Sequence, residues 1–352
     1  MAVKLTDLGI LIYVVMALYL AAALAFARRK KTAVLIVVVL GLLVALAAVG
    51  FRYLSIADES LYRLFVDAPT PDKFVERVAE LRERFYNDYQ AMFCTGIIVY
   101  AALGLGLAAA WLVKRERLAG TVLFIAGFGV AVAGFVLWWV EVKHAPFQNM
   151  FEVFLCLGML MWPISLFCRR LLNVSGDAAD AVLGAIILFP AGFIFKAARQ
   201  DLPPALDSFL FIPHVAAYML SYVILAKAVV PAAFLGLFRD RPEGDPAALA
   251  YEESANRLAR LGFPLLTLGL VLGMWWGKRA WGDYWNWDPK ELWSFISWLV
   301  YLAYFHFRYM FGLRFKRANC GFLVAGLVAI VLTLLWVNLA RIFSGGMHSY
   351  AS

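Results

Sequence analysis

Long apolar segments recur along most of the chain, and short polar segments separate them. A helix needs about 20 apolar residues to cross the hydrocarbon core of a bilayer. Each spanning segment should be helical, because backbone groups in lipid must satisfy their own hydrogen bonds. The pattern predicts an all-α polytopic membrane protein with about ten transmembrane helices, at 8–27, 33–54, 91–112, 119–141, 150–168, 181–197, 211–237, 261–277, 292–312 and 319–341.

Basic residues cluster in alternate loops between these segments, at 28–31, 114–117, 169–170, 239–260 and 314–317. Lys and Arg are enriched in cytoplasmic loops, so these clusters predict one cytoplasmic face and place both termini on the outer side. Residues 239–260 are then a cytoplasmic loop. The outer loop at 55–90 has apolar residues at helical spacing, which predicts an amphipathic helix. We interpret residues 1–352 as a single membrane domain.

Composition excludes a soluble core, because 64% of the residues are hydrophobic against about 45–50% in soluble domains. The net charge of +8 is explained by the cytoplasmic loops, and no compact basic domain suggests binding to nucleic acid. The four cysteines form no CxxC pair. Thiol–disulfide exchange and a cysteine-based metal site are therefore not expected.

The densest aromatic segment lies between Trp275 and Trp293, which includes six of the twelve tryptophans. Polar residues are interleaved with them, and Pro289 should interrupt any helix that runs through. The segment 275–293 is therefore predicted to turn at the outer membrane surface. It could be an aromatic belt of the kind that anchors spans. The number of tryptophans favours a flat platform for a flat, apolar ligand with a few polar groups.

The run from Trp281 to Trp293, WGDYWNWDPKELW, is followed by His306 fifteen residues after Glu291. This pattern resembles the WWD signature of the haem-handling proteins of cytochrome c biogenesis. Within them the chain is most similar to the CcsA (ResC) family, subunits of the System II cytochrome c synthase, over most of the sequence after about Phe135. The resemblance implies haem b as the ligand, and a CcsB (ResB)-type membrane subunit and apocytochrome c as partners. We expect a bacterial cytoplasmic membrane, with a thylakoid membrane as the open alternative, and the basic clusters place the active site on the outer side.

The four histidines are candidate iron ligands, because two neutral imidazoles can ligate haem iron axially. His214 and His348 are expected outside, and by resemblance they match the family's two axial ligands of an outer haem. His306 is expected deep in the ninth span, where the resemblance implies that it ligates a second, inner haem together with a ligand from the partner. The expected haem contacts in the Trp-rich segment are Trp281, Trp285, Trp287, Asp288 and Trp293. Asp288 could instead fix the turn by accepting backbone hydrogen bonds.

His144 begins the run HAPFQNMFE, which resembles the family's HxPxxNxxE element. We expect it to position the Trp-rich site, with Asn149 and Glu152 as polar partners, and direct ligation of iron is the less favoured alternative. The cations Lys227, Arg308 and Arg341 are candidates for pairing with haem propionates. The alternative for each is to reach the membrane interface, as long basic side chains commonly do.

These observations predict export and handling of haem and its presentation for covalent attachment to the CxxCH motif of apocytochrome c. The resemblance attributes the synthase activity to the pair with CcsB, and no catalytic residue is predicted. One alternative is another WWD haem-transfer protein of the CcmC or CcmF type. The other is a transporter of a non-haem substrate, which Lys227 and the short sixth span would support.

Overall fold

The computed structural model describes residues 5–27, 116–193, 195, 202–237 and 246–336. No strand occurs among these residues, so the predicted all-α class is confirmed for this part of the chain. The described residues form eight α-helices and end in a π-helical turn (Leu332–Trp336). The helices are α1 (Leu5–Ala27), α2 (Glu116–Val142), α3 (Met150–Leu171), α4 (Asp177–Phe193), α5 (Phe211–Leu237), α6 (Pro246–Trp281), α7 (Pro289–Phe311) and α8 (Lys316–Val331).

Five segments are long and apolar enough to cross a membrane: Leu118–Val140, Met150–Leu171, Phe211–Leu235, Ala248–Trp281 and Lys316–Leu335. A shorter apolar segment, Val14–Ala25, lies in α1. The chain is therefore a multi-pass membrane protein. The predicted spans at 33–54 and 91–112 and the loop at 55–90 lie outside the described residues. The count of ten spans and the placement of the termini stay predictions.

The predicted ninth span is the helix α7, but it is not among the five apolar segments. The reason is its composition, because Glu291, His306 and Arg308 interrupt a run that is otherwise rich in tryptophan and tyrosine. The predicted sixth span is the helix α4, which has 17 residues and contains Pro190. Both segments are helical as predicted, and whether each crosses the bilayer stays a prediction.

The predicted loop at 239–260 differs from the structure, because α6 begins at Pro246 and continues for 36 residues. Proline suits the first helical position, where its missing N–H leaves no hydrogen bond unmade. One face of this first part of α6 is buried, including Glu252 and Asn256. The Arg308 guanidinium forms an ion pair with Glu252, and Tyr304 donates a 3.2 Å hydrogen bond to Asn256. Glu252 and Asn256, whose polarity indicated a loop, therefore lie on the buried face of α6.

The chain divides into two compact units, one of residues 1–134 and 184–198 and the other of residues 135–183 and 199–352. The single membrane domain expected from the sequence stays a prediction, and each unit is described by itself. In the first unit α1 packs against α2. The ring of Tyr19 meets Phe124 edge-on with centroids 4.7 Å apart, and a Cβ on Gly127 would lie 2.7 Å from the Tyr19 ring. Gly127 therefore permits the close approach of these two helices.

In the second unit α5 and α6 form the most extensive helix pair, α8 packs against α5 and α7, and α3 packs against α5. Glycines of α6 allow the close approach to α5, because a Cβ on Gly262 would lie 2.7 Å from the Leu225 side chain. The same relation holds where α8 meets α7, since a Cβ on Gly326 would lie 2.6 Å from the Tyr301 ring. Small residues at helix contacts are typical of packing within membranes.

Lys227 is buried within the second unit and forms an ion pair with Asp180 of α4. The Ser165 hydroxyl of α3 donates a hydrogen bond to the same carboxylate. The structure therefore contradicts both predictions for Lys227, because its ammonium is buried and is already paired with a carboxylate of the same chain. A buried charge needs a partner of opposite sign, and Asp180 supplies it. Arg308 is likewise paired within the chain, with Glu252.

Candidate functional site

A cavity opens between α5, the last turns of α6 and the first turn of α7, entirely within the second unit. Its lining is mainly aromatic and apolar. The side chains that matter for its chemistry are His214, Tyr218, Trp276, Trp281, Trp285 and Lys290. Phe147 and Gln148 reach it from the segment after α2, and Thr333 and Leu334 reach it from the π-helical turn.

The Trp-rich segment forms a turn between α6 and α7. Gly282 follows the last residue of α6 with φ +90°, a conformation that glycine adopts without strain. Asp288 is the N-cap of α7 and Pro289 its first residue, so proline begins this helix as well as separating it from α6. The Asp288 carboxylate accepts the backbone N–H of Lys290 at 2.9 Å. The turn-fixing role considered for Asp288 is therefore observed, and contact with haem stays a prediction.

Glu291 completes the cap of α7. Its Oε2 accepts backbone hydrogen bonds from Asn286 at 2.8 Å and from Asp288 at 3.2 Å. This is a capping box, in which the N-cap and the residue three positions later satisfy each other's backbone groups. Asp288 and Glu291 thus fix the shape of the turn that carries Trp285 and Trp287.

Only part of the predicted aromatic set lines the cavity. Trp281 and Trp285 do, whereas Trp287 and Trp293 do not. Trp287 is 67% exposed and meets Trp285 edge-on at 5.8 Å. Trp276 was not among the predicted contacts, although it lines the cavity and is buried. Its indole N–H donates to the carbonyl oxygen of Ala205 at 2.9 Å. Its position three residues after Gly273 and seven after Gly269 could have indicated that it shares their helix face.

His214 is held firmly at the cavity. Its Nδ1 lies 2.8 Å from the carbonyl oxygen of Gly269, which can only accept a hydrogen bond. The proton of a neutral ring is therefore on Nδ1, and in that tautomer Nε2 carries the lone pair that a metal ligand requires. The ring packs edge-on against Tyr218 at 5.1 Å and is tilted by 31° to Trp276 at 5.6 Å. The glycine face of α6 makes room for it, because a Cβ on Gly273 would lie 2.6 Å from the ring.

The other histidines lie elsewhere. His306 is exposed on α7, with Nδ1 3.0 Å from the carbonyl oxygen of Leu302, and it does not line the cavity. His144 is partly buried in the turn after α2, with Nδ1 3.1 Å from the carbonyl oxygen of Ala145. His348 and Arg341 lie outside the described residues. Among the described histidines, His214 is thus the one at the aromatic cavity.

Asn149 and Glu152, the expected partners of His144, form a second capping box that begins α3. Glu152 is buried and accepts hydrogen bonds from the Trp138 indole at 2.8 Å and from the Gln148 backbone at 2.7 Å. The Asn149 side chain donates to the same carboxylate at 3.0 Å. The carboxylate therefore organises the turn that brings Phe147 and Gln148 to the cavity.

Glu152→Gln should lower the free energy of unfolding by about 1–3 kcal/mol, because its amide nitrogen would face donors that need an acceptor in a buried site. Thermal unfolding of the detergent-solubilised chain, followed by circular dichroism, measures this. Glu253→Gln is the matched control, since Glu253 makes an exposed pair with Arg257. Equal melting temperatures for the two variants would contradict the structural role of Glu152.

The chain was compared with known proteins. The family model described as Cytochrome C assembly protein matches residues 117–344, a range that contains every residue of the cavity lining. Cytochrome c biogenesis protein CcsA of Synechococcus sp. (strain CC9311) is 32% identical over 299 residues, which cover 72% of this chain and 96% of that protein. Its namesake in Prochlorococcus marinus (strain MIT 9303) is 30% identical over 303 residues, covering 72% and 92%.

A third relative, CcsA of Prochlorococcus marinus (strain MIT 9312), is 32% identical over 253 residues, covering 60% of this chain and 78% of the relative. The similarity thus extends over most of the length of each relative, and the range matched by the family model includes the Trp-rich turn, His214 and His306. The family indicated by the WWD run is confirmed. The chain belongs to the cytochrome c assembly family and is a CcsA-type protein of cytochrome c biogenesis.

Proposed function

We propose that this chain binds haem b at the aromatic cavity and presents it for covalent attachment to the CxxCH motif of apocytochrome c. The observation that carries the proposal is the state of His214. Its Nδ1–H is committed to the carbonyl oxygen of Gly269, so the ring is oriented and has a lone pair on Nε2 at a cavity walled by tryptophan and tyrosine. This combination fits an iron-bearing, flat, apolar ligand.

The residues of the cavity pass a further test of fit. The indole N–H of Trp285 is buried and has no hydrogen-bond partner among the described residues. A buried donor without an acceptor is unfavourable unless a ligand supplies one. The aromatic walls of Trp281 and Trp285 suit a planar macrocycle. The cavity therefore offers an imidazole that could ligate iron, flat apolar walls and a buried N–H donor without an acceptor among the described residues.

Within this proposal His214 and His348 are the two axial ligands of the outer haem, and the chain's role is to position it. The haem supplies vinyl groups, to which the two cysteine thiols of the apocytochrome add to form thioethers. Imidazole ligands suit such a site because the histidine of CxxCH can replace one of them. Trp287, exposed beside the cavity, and Trp293 are expected to contact the haem or the incoming apocytochrome, and His144 to position the turn.

His306 is the proposed ligand of an inner haem on the route of export. Its exposure on α7 supports a second ligand from outside this chain, and a CcsB-type subunit is the proposed source. The distribution of basic residues supports an aromatic cavity that faces outside, and a bacterial cytoplasmic membrane is the proposed location. The ion pair with Asp180 explains the buried charge of Lys227 without a transported substrate. Lys227 therefore gives no support to the alternative of a transporter.

The visible absorption spectrum of the purified chain, expressed with and without a CcsB-type partner, tests this function. We expect the low-spin spectrum of a bis-histidine haem in the wild type. His214→Gly and His348→Gly should each remove most of that signal, and imidazole should restore part of it by occupying the vacated position. His144→Gly tests the positioning role of His144 and should lower the signal less than either ligand variant.

A haem spectrum that is unchanged when both His214 and His348 are glycine would contradict the outer site. Absence of haem from the wild type, even with the partner present, would contradict the proposed function. Loss of the signal only in His144→Gly would move the iron ligand to the segment after α2. Restoration by imidazole separates the loss of a ligand from the loss of the fold, because a misfolded cavity would not regain the spectrum.

A further inference from the structure

Lys290 is the cation of the aromatic cavity. It follows Pro289 at the start of α7, before the predicted ninth span. Its backbone N–H is bound by Asp288, but its ammonium has no hydrogen bond or ion pair with any residue that the structure describes. An ammonium in an apolar, partly buried place is unfavourable without an anion. Lys290 thus brings a positive charge to the cavity without a direct ion pair among the described residues.

The nearby carboxylates form no ion pair with this ammonium, and both accept backbone N–H groups in the capping box of α7 instead. Glu291 accepts two backbone N–H groups through Oε2, and Asp288 accepts the backbone N–H of Lys290. Burial lowers the pKa of Lys290 to about 8, although the charge of Asp288 acts in the opposite direction. The direction of this change shows that loss of water outweighs the attraction of Asp288. A ligand anion would reverse that balance.

Trp285 supplies a second donor to the same cavity. Its indole nitrogen is buried and lacks a hydrogen-bond acceptor among the described residues, and its side chain lines the cavity together with Lys290. Two donors without acceptors, one of them charged, thus lie in a mainly aromatic and apolar cavity, whose other polar lining residues include Glu291, Gln148 and Ser294. A carboxylate satisfies both, since its two oxygens accept several hydrogen bonds and charge-assisted bonds are the stronger kind.

We propose that Lys290 and the indole N–H of Trp285 bind a carboxylate of the flat ligand and so select acidic porphyrins over their esters. The identity of the ligand rests on the proposed function, in which this carboxylate is a haem propionate. The two groups would fix which edge of the macrocycle enters the cavity first. His214 would bind the metal, whereas Lys290 and Trp285 would bind the carboxylate at the edge of the ring. An experiment can therefore test the two interactions separately.

The test compares binding of haem with binding of its dimethyl ester, which keeps the iron and the ring but removes both negative charges. Affinities are measured by absorption titration of the haem-depleted chain in detergent. We expect the wild type to prefer the acid by about 10- to 100-fold, the range for hydrogen bonds to charged groups. Lys290→Met should bind the two forms alike, and Lys290→Arg should retain most of the preference. Trp285→Phe, which keeps the ring and loses the N–H, should retain part of it.

Lys143→Met is the control for loss of a positive charge, because Lys143 is exposed and does not line the cavity. It should discriminate between acid and ester as the wild type does. Equal affinities of the wild type for the two forms, or an undiminished preference in Lys290→Met, would overturn the carboxylate site and leave the haem function standing. Failure of the wild type to bind either form would overturn both proposals together.

Discussion

Lys227→Met should lower the free energy of unfolding by about 3–5 kcal/mol, the usual cost of removing one partner from a buried ion pair. Asp180 would remain buried with a hydrogen bond from Ser165 but without its counter-charge. The substitution preserves the length and the apolar stem of the side chain, so packing changes little. Thermal unfolding in detergent measures the loss, which should appear as one of the largest shifts for any single substitution in α5.

Two variants control this prediction. Lys227→Met combined with Asp180→Asn removes both charges and should recover much of the lost stability. Arg257→Met removes a cation from an exposed pair with Glu253, where exposed pairs contribute about 0–1 kcal/mol. If Lys227→Met has the same melting temperature as the wild type, the ion pair with Asp180 does not stabilise the fold. Normal melting with loss of bound haem would instead restore the propionate interpretation of Lys227.

Gly273→Ala should remove most of the low-spin haem signal, by about tenfold or more, while the chain stays folded. The added Cβ would lie 2.6 Å from Cε1 and 3.0 Å from Nδ1 of His214. The ring cannot easily move aside, because Tyr218 and Trp276 pack against it and its Nδ1–H is bonded to Gly269. We therefore expect the hydrogen bond to break and the ring to lose the orientation that ligation needs.

The control is Gly321→Ala in α8, where nothing lies within 4 Å of the added Cβ. Both substitutions place alanine in a helix, which by itself favours helix formation. Loss of haem in Gly273→Ala alone would therefore be assigned to His214. The absorption spectrum and the melting temperature of each purified variant give the comparison. An unchanged spectrum in Gly273→Ala would show that the close approach of α5 and α6 does not orient the iron ligand.

The positions of several helices could be predicted from the sequence because their signal is local. Apolar runs of about 20 residues located α2, α3 and α5 and the start of α8 within a few residues. The extension of α6 could not be predicted in this way. Its first turns carry Glu252, which is buried only because Arg308, 56 positions later, lies against it. Lys227 was misinterpreted for the same reason, since Asp180 is 47 positions away and no local pattern links the two.

The Trp-rich turn was predicted well because its chemistry lies in one stretch of sequence. Pro289 marked the boundary, and Asp288 followed by Glu291 is a recognisable capping box. Which tryptophans line the cavity depended on helix rotation and turn geometry, so Trp276 was missed and Trp293 was included. The absence of an ion pair at the Lys290 ammonium could not be predicted either. The adjacent acids Asp288 and Glu291 suggested such a pair, whereas in the structure they accept backbone N–H groups.

Trp287 adopts φ 56°, in the left-handed region that costs a residue other than glycine about 1 kcal/mol or more. Its indole is also 67% exposed and therefore recovers little through burial. A glycine at this position would relax the turn, so selection for thermostability alone would be expected to favour it. Laboratory evolution of a more robust variant should therefore screen for cytochrome c output at every round. Otherwise glycine would replace Trp287 in the more stable variants, and an expected contact surface for apocytochrome c would be lost.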